Sequence, residues 1–92
     1  MESNSQVIDI INAVLDCYGI SATALMGRRR TALLIDARML ATALLVEDLH
    51  LNAKTIAQIL QRDRTTIVYY IQNYRWRRLP IKDCRKLLAH DS

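Results

Sequence analysis

Residues 32–49 constrain the fold most, because their apolar side chains would point almost all round a helix. A helix of that kind has no polar face to offer to water, so we expect it at the centre of a helical bundle. Only two glycines and one proline occur in 92 residues, which also favours a high helical content. The sequence therefore predicts an all-α fold, a compact bundle of about five to six helices in a single domain over residues 1–92.

An amphipathic helix is predicted before this central segment. Apolar residues at gaps of three and four run through residues 7–18. Ser3, Asn4 or Ser5 is expected to cap the start of this helix, and Gly19 fits a left-handed stop at its end. The first helix should therefore bury one face against the rest of the bundle.

A helix-turn-helix is predicted after the central segment. Residues 53–60 and 64–76 each carry apolar side chains on one face, with a tight turn between them. Asp63 is expected to cap the second of these helices through its carboxylate. Short helices at 22–26 and 81–89 complete the expected set.

Charge is distributed unevenly along the chain. Residues 1–27 carry three acidic and no basic side chains, whereas residues 28–92 carry thirteen basic and six acidic ones. Three adjacent arginines, Arg28–Arg30, follow Gly27 and predict an exposed loop, because three guanidinium groups are not buried together without partners. This asymmetry favours an anionic partner, with nucleic acid first. The alternative is a basic face that is simply solvated.

The start of the second helix of the pair is the predicted reader of DNA bases. The N-terminal residues of a recognition helix reach base edges in the major groove. Arg64 is suited to guanine O6 and N7, and the methyl groups of Thr65 and Thr66 are suited to a thymine methyl. Asp63 can accept a hydrogen bond from cytosine N4 or serve as the helix cap.

Other cationic and polar residues extend this predicted site. The loop Arg28–Arg30 is suited to a narrow A·T-rich minor groove, where the negative potential is high. Tyr69 and Asn73 are expected on the DNA-facing side of the second helix. Arg38 lies within the central apolar helix, where it either pairs with a neighbouring acid or serves the DNA site.

Four stretches in order carry a family resemblance. They are Tyr18-Gly19-Ile20 before the arginine loop at 25–30, Ala37-Arg38 in the long helix, Thr55-Ile56-Ala57, and Arg62-Asp63-Arg64-Thr65-Thr66-Ile67-Val68. The last stretch is similar to an Arg-Asp-His-Thr-Thr-Val signature. Over residues 6–74 the chain resembles the C-terminal DNA-binding domain of DnaA, the bacterial replication initiator.

The resemblance implies an all-helical domain, similar to the Trp-repressor-like helix-turn-helix, that binds a short asymmetric duplex box as a monomer. By position, Arg30 resembles the family's minor-groove arginine, Arg38 its base-contacting arginine, and residues 63–66 its major-groove signature. The chain departs from the family pattern at Arg64, which replaces a histidine, and at Met39, which replaces a polar contact residue. Its turn is also one residue shorter. The predicted DNA-contacting residues are Arg28, Arg29, Arg30, Arg38, Arg62, Asp63, Arg64, Thr65, Thr66, Tyr69 and Asn73.

Two functions remain open from the sequence. The first is sequence-specific binding of double-stranded DNA by a stand-alone module, similar to a DnaA-box binder or a small bacterial regulator of replication or transcription. RNA binding through stacked tyrosines is a weaker variant of it. The second is a protein-interaction module that keeps the fold with weakened DNA reading. Trp76, Leu87 and Leu88 would then pack on a partner or a second copy instead of on the chain's own core.

Enzymatic, metal-binding and membrane functions are disfavoured. Glu47 and Asp48 are adjacent acids that point to different sides of a helix, so they do not form a catalytic pair. Cys17 and Cys84 have no second Cys or His at ligand spacing. The longest uncharged apolar run, Met39–Val46, is far shorter than the ~20 residues of a membrane helix. We therefore expect no enzyme activity, no cofactor or metal, no membrane contact and a cytoplasmic location.

Overall fold

A computed structural model describes residues 2–90, with side chains from residue 5 to residue 89, and this part of the chain is all-helical. Its elements are α1 (Glu2–Tyr18), α2 (Ala22–Met26), α3 (Ala32–Leu49), α4 (Ala53–Leu60), α5 (Arg64–Asn73), a 3-10 turn (Tyr74–Trp76) and α6 (Ile81–His90). Six α-helices that include a helix-turn-helix confirm the predicted fold class.

Helix α3 forms the centre of the bundle and is buried over most of its length. Helices α1 and α5 pack directly against α3, and α6 packs against α1. The fully buried apolar side chains include Val14, Leu25, Met39, Leu40, Leu44, Leu45, Ile56, Leu60 and Ile67. The prediction of a central buried helix is confirmed. The loop that carries Arg28–Arg30, which we call the arginine loop, lies at the N-terminal end of α3.

Three helices begin at a capping side chain. Ser21, Thr31 and Asn52 precede α2, α3 and α4, and each side chain accepts a hydrogen bond from the backbone N–H three residues later, at 2.9 to 3.3 Å. A cap of this kind stabilises a helix by about 1 kcal/mol. Gly19 follows α1 with a φ of 64°, the left-handed conformation expected of it. These local signals fix where the chain turns on either side of the arginine loop.

The start of α1 differs from the prediction. This helix already begins at residue 2, so Ser3, Asn4 and Ser5 lie inside it, and the prediction that one of them caps it is wrong. A serine or asparagine caps a helix only where the backbone leaves helical geometry. Here the backbone is helical through all three residues.

The C-terminal segment folds back onto the bundle. Helix α5 ends at Asn73, three residues earlier than predicted, because the last residues tighten into the 3-10 turn. Cys84 of α6 is buried, and Leu88 packs against the core. Leu87, by contrast, is 36% exposed and Trp76 is 83% exposed. Packing on the chain's own core therefore accounts for Leu88 but not for Trp76.

Candidate nucleic-acid interface

The turn between α4 and α5 is closed by one residue in a left-handed conformation. Gln61 ends α4 with a φ of 54°, and its N–H donates to the Ala57 carbonyl. The Arg62 N–H donates to the same carbonyl at 2.9 Å. A side chain in this conformation costs roughly 1–2 kcal/mol compared with the right-handed form. The shorter turn nevertheless brings α4 and α5 together as a helix-turn-helix.

The arginine loop joins α2 to α3 and starts at Gly27. The side chains of Arg28, Arg29 and Arg30 are all exposed, as predicted for three adjacent arginines. A Cβ atom at Gly27 would lie 3.0 Å from the Thr23 carbonyl oxygen. A side chain at position 27 would therefore be crowded against this backbone oxygen, whereas the backbone conformation itself is ordinary, with a φ of −76°.

An open groove of about 540 Å³ lies between the arginine loop, α3 and the helix-turn-helix, and we call it the basic groove. Its lining residues are Arg28, Arg30, Ile35, Arg38, Gln61, Arg62, Asp63, Thr66, Tyr69, Tyr70 and Arg77. Five of these are arginines and one is acidic. The groove therefore brings the loop and the start of α5 to one cationic surface.

Seven of the eleven predicted DNA-contacting residues line the basic groove. Of the other four, Arg29, Arg64 and Thr65 are exposed, and the last two lie in the first turn of α5 between groove residues. Asn73 is different, because its side-chain amide donates to the Tyr69 carbonyl of its own helix at 2.7 Å. The first turn of α5 thus presents its side chains beside the groove, while Asn73 is held by its helix.

Arg77 lines the groove although it was not among the predicted contacts. It forms an ion pair with Asp36 of α3, with Nη2 and Oδ1 2.5 Å apart. The sequence shows a cluster of arginines around Trp76, which indicates a cationic surface. The pairing of Arg77 with Asp36 could not be predicted from it, because it depends on how the helices pack. This ion pair partly neutralises one cation at the edge of the groove.

Asp63 stands at the N-cap position of α5, but its side chain makes no capping hydrogen bond, so the predicted carboxylate cap is wrong. Only its backbone carbonyl takes part, accepting from the Ile67 N–H at 3.2 Å. The side chain is exposed and lines the basic groove among the arginines instead. A carboxylate close to the N-terminus of α5 still interacts favourably with the helix dipole. Its oxygens are not occupied by the capping role.

Arg38 is 1% exposed, and its guanidinium is held by backbone carbonyls. Its Nε donates to Leu25 at 2.8 Å and its Nη1 to Arg29 at 2.7 Å. Its Nη2 donates to Ala24 at 3.2 Å and to Gly27 at 2.9 Å. Pairing with a neighbouring acid, one of the two interpretations from the sequence, is therefore wrong.

Burial lowers the pKa of Arg38, and the nearby cation of Arg62 lowers it further. Four charge-assisted hydrogen bonds offset the cost of taking a guanidinium out of water. A base contact by this side chain, as implied by the family resemblance, stays a prediction.

Two further features were sought in the part of the chain that the structure describes, a metal-binding cluster and a membrane-spanning helix. No group of three or more His, Cys, Asp or Glu side chains there could hold a metal ion. Within residues 2–90, no helix has the length and apolar character needed to cross a membrane.

Comparison with known proteins assigns the family. The family model for the bacterial DnaA protein helix-turn-helix matches residues 7–73, which is well over half of the chain and close to the 6–74 expected from the sequence. Comparison with curated proteins gave no match, and comparison with solved structures gave none either. The chain belongs to the bacterial DnaA helix-turn-helix family, a family of DNA-binding domains that is not catalytic.

Proposed function

We propose that this protein binds double-stranded DNA in a sequence-specific manner. The first turn of α5 enters the major groove, and the arginine loop enters the adjacent minor groove. The observation that carries this proposal is the basic groove, in which Arg28 and Arg30 of the loop face the same space as Asp63 and Thr66 of α5. One duplex can therefore meet both elements at once.

Electrostatics supports the proposal. Arg28 and Arg30 line the groove with exposed side chains, and Arg29 and Arg64 stand exposed beside it. Cations in this density neutralise phosphates and release the counterions bound to DNA, which makes affinity fall steeply with salt. The phosphate ridge between the two DNA grooves would lie along the basic groove.

Sequence preference in this proposal comes from a few exposed side chains. Arg64 and Thr65 are exposed in the first turn of α5, where a recognition helix reaches base edges. Arg30 is the loop residue suited to a minor groove narrowed by A·T pairs. Because Arg64 stands where the family signature has histidine, we expect a preferred box that differs from the family's.

The biological setting is part of the same proposal. We take residues 1–92 as one helical DNA-binding domain that acts as a monomer on an asymmetric site. It would serve as a stand-alone box-binding module or a small regulator of replication or transcription in the bacterial cytoplasm. Competition with a DnaA initiator would follow only where the preferred box of this protein overlaps an initiator box.

Selection of duplexes from a random library tests the proposal. The wild-type protein is expected to enrich a short asymmetric box, and Arg30→Ala and Arg64→Ala to reduce that enrichment. Lys86→Ala is the matched control, because it removes one positive charge from α6 at a position outside the groove lining. If the wild-type protein enriches no sequence, the proposal that it recognises DNA bases is wrong.

A protein-interaction role is the second candidate, and the exposure of Trp76 favours it. This side chain is 83% exposed and lies beyond the family match, which ends at residue 73. An exposed tryptophan beside arginines is typical of a binding surface. Light scattering of wild-type protein and Trp76→Ala separates self-association from a monomer.

RNA binding by stacking of bases on tyrosine rings is less favoured, because Tyr70 and Tyr74 are buried.

A further inference from the structure

We propose that Arg38 and Arg62 are positioning residues that clamp the arginine loop at a fixed place beside the helix-turn-helix. This inference rests on the proposed function, because it concerns how the loop is presented to DNA. It assigns the two side chains to the backbone of the loop instead of to bases or phosphates.

Arg38 holds the loop from inside the bundle. Its guanidinium donates to two carbonyls in α2, Ala24 and Leu25, and to the carbonyls of Gly27 and Arg29 in the loop. Carbonyls at the end of a helix have no partner within that helix and need an outside donor. One buried side chain therefore ties the end of α2 and the loop to the rigid central helix.

Arg62 holds the loop from the helix-turn-helix. Its Nη2 donates to the Gly27 carbonyl and its Nη1 to the Met26 carbonyl at 3.4 Å. The same Nη1 also donates to the Gln61 carbonyl of the turn at 3.0 Å. Arg62 thus joins the turn before α5 to a loop 35 residues earlier in the chain.

Both arginines meet at Gly27, whose carbonyl oxygen accepts from each of them. The loop therefore takes its position from α3 and from the turn together. A shift of the turn relative to the loop would break at least one of these bonds. The spacing between Arg30 and the first turn of α5 is set by this shared oxygen.

The geometry of the donors explains why arginine is needed at position 62. A guanidinium presents several N–H donors in a fixed planar fork, so one side chain can reach two carbonyls. A lysine keeps the charge, but its three N–H donors share one nitrogen, so they do not reproduce the bonds made by the two separate nitrogens Nη1 and Nη2. Arg62→Lys therefore retains attraction to DNA while losing most of the clamp.

Trypsin digestion without DNA tests the clamp directly. Trypsin cleaves after Arg28, Arg29 and Arg30, and cleavage within a loop reports how often the loop opens. Arg62→Gln and Arg62→Lys are both expected to speed cleavage at the loop by about fivefold or more. Arg85→Gln is the matched control, because its ion pairs lie on α3 and α6. Circular dichroism confirms that each variant is folded. Cleavage rates equal to wild type in both Arg62 variants would overturn the clamp.

A double-mutant cycle on the duplex selected above tests the consequence for DNA. Arg62→Gln is expected to weaken binding by about tenfold in the wild-type background and by less than about twofold in Arg30→Ala. The reason is that a clamp acts only through the residue it positions. An equal loss of affinity in both backgrounds would overturn the proposal. If the slope of log affinity against log salt concentration also fell by about one, Arg62 would contact a phosphate directly.

Failure of the proposed function gives a different result. If the wild-type protein binds no duplex, none of the variants in the double-mutant cycle will show measurable DNA binding. Trypsin digestion, which needs no DNA, still decides whether the clamp exists. Arg62 carries these tests because Arg38 is buried in the core and its substitution changes folding as well.

Discussion

The Tyr74 hydroxyl donates to Oε2 of Glu47 at 2.6 Å and joins the end of the helix-turn-helix to the last turns of α3. Arg85 of α6 donates to the other oxygen of Glu47 and to Asp48, each at 2.8 Å. Two parts of the C-terminal segment therefore meet on one end of the central helix. The charge on Glu47 is needed by both of them.

Stability is expected to depend on pH through Glu47. The hydrogen bond from Tyr74 is the main reason that the pKa of Glu47 lies below its ordinary value of 4.5. A carboxyl group whose pKa is lower in the folded state stabilises the fold above its ordinary pKa, and this stabilisation is lost as pH falls through the folded pKa. Urea unfolding should therefore show a loss of stability below about pH 4.5.

Tyr74→Phe tests this bond. We expect a loss of about 1 kcal/mol in the free energy of unfolding at pH 7, since Glu47 is partly exposed. The variant should also lose less stability on acidification than wild type does. Tyr69→Phe is the control, because that ring is 55% exposed. An unchanged acid dependence in Tyr74→Phe would contradict the assignment.

Arg30→Ala and Arg64→Ala are each expected to weaken binding to the selected duplex by about 1–3 kcal/mol. The reason is that each side chain is assigned a base contact, one in each DNA groove. Fluorescence anisotropy at fixed salt measures the change, with Lys86→Ala as the control. A loss common to all three variants would indicate charge alone and not base reading.

Thr65→Ala should relax sequence preference more than it lowers affinity. Its exposed side chain lies in the first turn of α5, where its methyl group can contact a thymine methyl. Repeating the selection with the variant should give one box position with weakened preference. An enriched box identical to that of wild type would remove Thr65 from the base-reading set.

Cys84 should react slowly with thiol reagents. It is fully buried, and burial raises its pKa to about 11. The thiolate is the reactive form, so alkylation at pH 8 should label half-buried Cys17 first, although the pKa of Cys17 is also raised by burial. In urea the two residues should react alike. Rapid labelling of Cys84 in the folded protein would contradict its burial in α6.

Local signals in the sequence were sufficient for most of the fold. The apolar periodicity predicted α3, and Gly19 predicted the left-handed turn at the end of α1. These signals act over three or four residues, so they can be read without knowing the packing. They also located Arg28–Arg30 and the first turn of α5 as the candidate site.

Contacts between distant residues could not be predicted in this way. The bonds of Arg38 to the loop, of Arg77 to Asp36 and of Tyr74 to Glu47 depend on how the helices pack. A residue type that is common at a helix N-cap also does not always form the capping hydrogen bond. Asp63 occupies an N-cap position, yet its side chain lines the basic groove without capping α5.

An NMR titration of the backbone amides with the selected duplex at low ionic strength tests most directly whether one duplex meets the arginine loop and α5 at once. We expect the amides of residues 28–30 and 63–69 to shift together at the same DNA concentration. Amides that do not move, or shifts confined to α1 and α6, would contradict this expectation.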